Sequence, residues 1–418
     1  MKIHLYAAFA LLAACSLAWP HTLRAALIEV SPKGPVTRIR DAVERANACD
    51  TIVVRSGLYK EGNLLLRKPL TLMGMGGPII DGEHKCELFT VAAPNVTIRG
   101  FVLRNSGRSN MEDWAGVKCL DAHYAHICDN VLENTFFGIH LSNSDYVLIE
   151  NNQLSTYAEQ EYELGNGIHL WKCAYARIFN NQIRGHRDGI YFEFVTHSAI
   201  RFNLSEENRR YGLHFMFSHD DQYFDNIFRN NGAGVAVMYT RRVKMYRNRF
   251  TDNWGASAYG MLLKDISDSE IFDNTFSGNT SGVYMEGSSR CRFQRNTWTH
   301  NGWAVKIMAS CDDNNFEQNN FMANSFDLST NGSVVLNRID GNYWDKYQGY
   351  DLDRNQIGDI PYRPISLFSI LSERIPPAIM LWRSFLTLIM DNIERAIPAV
   401  TPENLKDNQP AMRAYDLS

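Results

Sequence analysis

Six side chains between positions 169 and 238 could ligate a soft metal ion: His169, Glu193, His214, Met216, His219 and Met238. Imidazole together with thioether suits copper, and Cu(I) above other ions. His214 and Met216 are two residues apart, which sets them on one face of a β-strand. Met238 follows Met216 by 22 residues and Glu193 precedes it by 23. These donors meet only if the chain returns to the same place at that interval.

It does. Asn recurs at 130, 152, 181, 203, 226, 248, 274, 296, 319 and 342, mostly in steps of 22 or 23, with Gly100 read in the same role. Two residues on, and three before, the positions are apolar nearly throughout. A period in this range with short strands signals a solenoid. The leucine-rich pattern LxxLxLxxN is absent, and three short strands per turn with Asn at a corner fit a parallel β-helix. Stacked Asn side chains can hydrogen-bond along the axis, as other amide ladders do. About eleven coils, spaced ~4.8 Å, would make a rod roughly 50 Å long.

The strand after each Asn alternates. Its inward pairs run from Val117/Cys119 through Ile139/Leu141, Ile168/Leu170 and Leu213/Phe215 to Val305/Ile307. The residues between and just after them form two columns that alternation turns toward solvent. One reads Lys118, His140, His169, Tyr191, His214, Ala236, Leu262, Tyr284, Lys306. The other reads Leu120, Ser142, Trp171, Glu193, Met216, Met238, Lys264, Glu286, Met308. Three coils carry extra residues, at 106–115, 155–166 and 251–259. All three insertions fall between the Asn and this strand, so they emerge at one edge and frame a binding face.

The remaining chain supplies ends. Residues 1–26 read as an export signal: Lys2, an apolar run from Leu5 to Leu17, and Ala25-Ala26 as the cleavage site. Cys15 is read as part of the apolar run rather than a lipid-attachment site. Val36 to Ala48 has helical spacing and predicts a cap over the first coil. Gly341 to Pro364 reads as a polar cap over the last. Within it Asp351, Asp353, Asn355 and Asp359 start like a calcium loop, but Gln356 and Tyr362 stand where that loop needs Gly and an acid, so calcium is not expected. Residues 365–398 are an apolar helical unit too short to span a bilayer, suited to docking on a membrane partner. Residues 399–418 read as a flexible tail. The domain reading is therefore 1–26 signal, 27–364 β-helix with caps, 365–398 helical extension, 399–418 tail.

Seven of the eight cysteines lie beyond the signal, without a CxxC pair, which removes a zinc or thioredoxin-like reading. They are expected to be mostly buried thiols with one or two bridges. The net charge of −4, with basic residues dispersed, gives no footprint for nucleic acid.

The Asn-rich coils, YGLHFMFSHD at 211–220 and GNYWDKYQGYDLDRNQIGDIPYRP at 341–364 together resemble the NosD family. The resemblance implies a right-handed β-helix in the periplasm without covalent chemistry of its own. It implies a role in copper-centre assembly of nitrous oxide reductase, with copper held transiently. The implied partners are an ABC transporter (permease and ATPase subunits), a copper-delivering lipoprotein and the apo-reductase. The alternative is a carbohydrate-binding or polysaccharide-modifying β-helix. Such enzymes gather several carboxylates on one outward sheet, whereas the outward columns here hold only Glu193 and Glu286.

Overall fold

Each coil turns its corner on a buried amide. In the computed structural model, which describes residues 25–417 apart from 110, 159, 333–335, 382–383 and 397–404, the expected Asn column is a continuous ladder. Asn181 is a typical rung. Its N–H and its Nδ2 both donate to Asn203 Oδ1, at 2.9 and 3.0 Å, and Nδ2 also donates to the carbonyls of Ile149 and Phe179. The residue before each rung takes the left-handed conformation that bends the chain: Asn180, Phe202, Asp225 and Arg247 have φ between 51° and 56°. Bulky residues bear that strain because the ladder fixes the corner. At the N-terminal end, Val102 pairs with Val131, so Phe101, not Gly100, stands in register with Asn130, and its N–H donates to Asn130 Oδ1.

Three sheets of 14, 13 and 12 parallel strands run the length of the molecule. The 12-stranded sheet holds the longest strands, among them Asp188–Glu193, Tyr211–Met216 and Ala233–Met238. The stack begins earlier than the Asn column indicates. Thr51–Arg55 and Thr71–Met75 are already rungs of the 14-stranded sheet. Fourteen rungs at ~4.8 Å make a rod of roughly 60 Å rather than 50 Å. Ile178, Ile200 and Ile271 are fully buried, as a single solenoid requires. Glycine is needed where coils touch most closely: a Cβ on Gly212 would lie 2.6 Å from the Gly234 carbonyl oxygen.

A second amide ladder was not anticipated. Asn208, Asn231, Asn253, Asn279, Asn301 and Asn324 pair rung to rung at the corner before the long strands. His186 heads it, donating its N–H to Asn208 Oδ1.

Helix α1, Ile39–Arg45, closes the first coil with Ile39, Ala42 and Val43 buried, as its spacing predicts. Beyond the last coil come α2, Leu367–Arg374, a 3₁₀ turn, Pro376–Leu381, and α3, Phe385–Ala396. The seven described cysteines are all free thiols, five of them buried, so no bridge forms among them.

The flexible tail is a correction. Residues 405–417 return to the solenoid and seal it. A ladder whose rungs all donate toward the C-terminus ends with unsatisfied donors. Asp407, fully buried, accepts from the N–H groups of Gly341 and Asn342 at 2.9 and 2.8 Å and from Trp344 Nε1 at 2.9 Å. Burial pushes its carboxyl above the usual range, and these donors pull it back only in part. Ala411 bridges Tyr343, and Tyr415 N–H donates to Asn320 Oδ1. The sequence pattern missed this because Asp407 lies outside the repeat, 65 residues beyond the rung it completes.

Asp407→Ala leaves at least three buried donors without an acceptor, and each such group costs about 1–3 kcal/mol. The variant is expected to lose about 3 kcal/mol in urea denaturation and to become protease-sensitive within 405–417. Unchanged stability would show that the clasp is incidental.

Candidate metal centre

The register confirms the first outward column. His140 pairs with His169, His169 with Tyr191, Tyr191 with His214, and His214 with Ala236. Their rings lie 4.8, 4.7 and 4.8 Å apart between centroids from His140 to His214. The expected exposure is corrected, however. His214 is 4% exposed and His140 5%. The insertion expected at 155–166 folds down at this edge, burying Ala158, Leu164 and Asn166, and Arg209, from the coil of His214, donates to the Ala158 carbonyl at 3.1 Å. Tyr211 covers the His214 ring from its own strand, at 4.8 Å.

The second column stays nearer the surface. Glu193, Met216 and Met238 are half-buried and consecutive in register. Beyond them Phe194, Phe217 and Tyr239 stack at 5.3 and 5.1 Å and remain exposed. Thus His214, Met216, Met238 and Glu193 share one face. His169 lies two rungs from His214 with Tyr191 between. His219 lies round the corner, bridging Thr196, and is not brought to that face. Burial, then Arg241 and Arg242, lower the His219 pKa.

Asp188 is a member of this candidate site that the sequence reading missed. It opens the neighbouring strand, is 1% exposed, and lies 3.3 Å from His214 Nδ1 through Oδ2. The imidazole Nδ1–H donates to this carboxylate, which fixes the tautomer. His214 Nε2 is out of solvent and without a partner, and in the neutral ring it carries the lone pair. A carboxylate behind the distal nitrogen is the arrangement found behind metal-bound histidines. Arg210 and the Tyr211 N–H hold Asp188 in turn, at 3.6 and 3.3 Å. Among the described residues no group of three or more His, Cys, Asp or Glu is placed to hold a metal. The donor set is one oriented imidazole beside two thioethers. That set fits a soft monovalent ion and not zinc, which takes four ligands.

Comparison with known proteins follows the same line. A family model described as periplasmic copper-binding protein (NosD) matches residues 155–349, the stretch that holds Asp188, His214, Met216 and Met238. Two relatives, each named probable ABC transporter binding protein NosD, match along most of their length. The one from Pseudomonas aeruginosa is 29% identical over 375 residues, covering 84% of this chain and 86% of that protein. The one from Stutzerimonas stutzeri is 26% identical over 370 residues, covering 84% and 85%. The chain is thus similar to the NosD family over this stretch and to two of its named members over most of its length. Solved structures share its fold alone. The catalytic unit of a GH87 alpha-1,3-glucanase from Streptomyces thermodiastaticus superposes with a TM-score of 0.61 at 15% identity, over 77% of this chain and 70% of that one. Dettilon tailspike protein superposes at 0.55 and 14%, over 76% and 70%. The two relatives are named as binding proteins, whereas the glucanase shares only the coil.

The covered histidines have a measurable consequence. Burial lowers His140 and His186 to about 4 and holds His169 well below its usual value. The unfolded chain takes up these protons near 6.5. Stability is therefore complete above pH 6.5 and falls as pH drops toward 4, by about 2 kcal/mol per such histidine at pH 5. His186 occupies a ladder rung with both ring nitrogens unpartnered, so His186→Asn supplies the residue that the ladder uses elsewhere. Urea denaturation at pH 7.5 and pH 5 is expected to show that this variant recovers about 2 kcal/mol of the acid loss. An unchanged pH dependence would refute the assignment.

Proposed function

We propose that this chain is a periplasmic accessory protein for copper-centre assembly of nitrous oxide reductase, holding Cu(I) briefly while an ABC transporter and a copper donor act on it. The observation that carries this reading is the in-register pair Met216 and Met238 beside His214, whose free nitrogen is set by Asp188. The described names of the family and its relatives, copper-binding and ABC transporter binding, support it. The imidazole is the fixed anchor. The thioethers at the surface are donors that a partner can reach and replace. Such a set binds weakly alone and better when a partner completes it.

Burial of His214 changes how this is tested. Replacing it with Ala strands Asp188 in the interior, so a triple alanine variant confounds binding with folding. Met216→Ala with Met238→Ala removes the thioethers without touching that pair. In cells this double variant is expected to leave nitrous oxide reductase copper-poor while accumulating as well as wild type. Full copper content of the reductase would sink the reading.

The helical unit is proposed as the transporter contact. Met380 is 87% exposed and Phe385 77%, with Leu386, Leu388 and Ile389 also exposed. The coils do not cover this apolar face, and such patches mark interaction sites. No described helix is long and apolar enough to cross a membrane, and the twelve residues of α3 reach only about 18 Å. Ending the chain at Pro364 would also remove Asp407 and open the ladder. Phe385→Ser with Leu388→Ser is the cleaner variant. It is expected to keep the wild-type denaturation curve and to lose co-purification with the permease. Retained co-purification would rule this surface out.

A further inference from the structure

His140 and His169 lie outside the His214–Met216–Met238 set, and the proposed function does not use them. They are adjacent rungs of the covered column, edge to face at 4.8 Å. His140 Nδ1 and His169 Nε2 are out of solvent and have no hydrogen-bond partner. Buried polar atoms without partners are rare and costly. Two on touching imidazoles need a common explanation.

The opposite nitrogens are both backed. His140 Nε2 faces Asp113 Oδ2 at 3.7 Å. His169 Nδ1 lies 3.5 Å from the Asn166 side-chain nitrogen, while Asn166 Oδ1 is itself buried and unpartnered. The two ends of an amide are interchangeable in shape. Turning Asn166 over lets its oxygen accept from His169 Nδ1–H. That change frees the His169 Nε2 lone pair and leaves the amide NH₂ in the place that Oδ1 held. Each imidazole then has an acceptor on the side of one nitrogen, a charge contact for His140 and the amide oxygen for His169, and no partner at the other, which resembles the disposition of metal-bound histidine.

We propose that His140 and His169 form a second, dry site for a monovalent soft metal ion of the Cu(I) class, reached past Asp113. Two neutral nitrogens satisfy the low coordination number that Cu(I) accepts. They are too few for zinc or calcium, and no third His, Cys, Asp or Glu joins them among the described residues. Burial keeps both rings neutral at pH 7, so no proton competes for the lone pairs. The nearest cation on the column, Lys118, is paired with Glu87 at 3.7 Å. Asp113 is mostly exposed on the 106–115 insertion, where an acidic side chain draws cations toward the opening.

The inference rests on the copper reading above, and the experiment separates the two. Purified full-length protein is titrated anaerobically with Cu(I) against a competing chelator, and X-ray absorption at the copper edge reads the ligand shell. Met216→Ala/Met238→Ala is expected to retain one equivalent with a two-coordinate, nitrogen-only shell. His140→Phe/His169→Phe is expected to lose that equivalent. Asp113→Asn, a surface change that leaves the fold alone, is expected to weaken it about tenfold. Should the double histidine variant fail to fold, the Asp113 variant and the nitrogen-only spectrum still decide the matter. If wild type binds Cu(I) but the methionine variant binds none, or if the nitrogen-only equivalent survives loss of both histidines, the second site is overturned and the first stands. If wild type binds no Cu(I), both fall.

Discussion

The structure depends on a directional column of buried amides. Every rung gives its main-chain N–H and its side-chain NH₂ to the oxygen of the next, so each coil is held in register by its neighbour. Register here is not only a matter of stability. A shift by one residue would turn His214 inward and Phe215 outward. The amides allow the step between rungs to grow, as from Asn152 to Asn181, while expelling the surplus as a loop on one edge. They also impose an end condition. A chain of donors running one way needs an acceptor-only group at its last rung, and Asp407 is that group.

Whatever repeats was legible in the sequence. The ladder, the apolar columns and the edge on which the insertions emerge follow from a 22-to-23-residue period and strand alternation, and the capping helix from the helical spacing of Val36 to Ala48. The second ladder was legible in principle, since Asn208, Asn231, Asn253, Asn279, Asn301 and Asn324 each follow a first-ladder Asn by five residues. What does not repeat was hidden. The return of 405–417 depends on a single carboxylate far along the chain. The cover over the histidines depends on how an irregular insertion folds, which no period encodes. Alternation correctly put those side chains outside the coil. It could not show that something else lay on top of them.

That cover decides the chemistry. His214 and Met216 are two residues apart on one strand, yet one is dry and the other is half-open. In the dry position a carboxylate can hold one tautomer, because no water competes for the imidazole. The same position would be useless for exchange if all ligands shared it. At the open position a thioether binds soft metal without needing a proton removed, and a partner surface can approach. A site built wholly in the covered column would hold its ion and resist giving it up. One built wholly at the open edge would have no fixed point of attachment. The sheet supplies both within one rung, and the boundary between them is drawn by Arg209 holding the insertion at Ala158. On the proposed reading, transient metal binding is a property of the solenoid's edge rather than of any ligand alone.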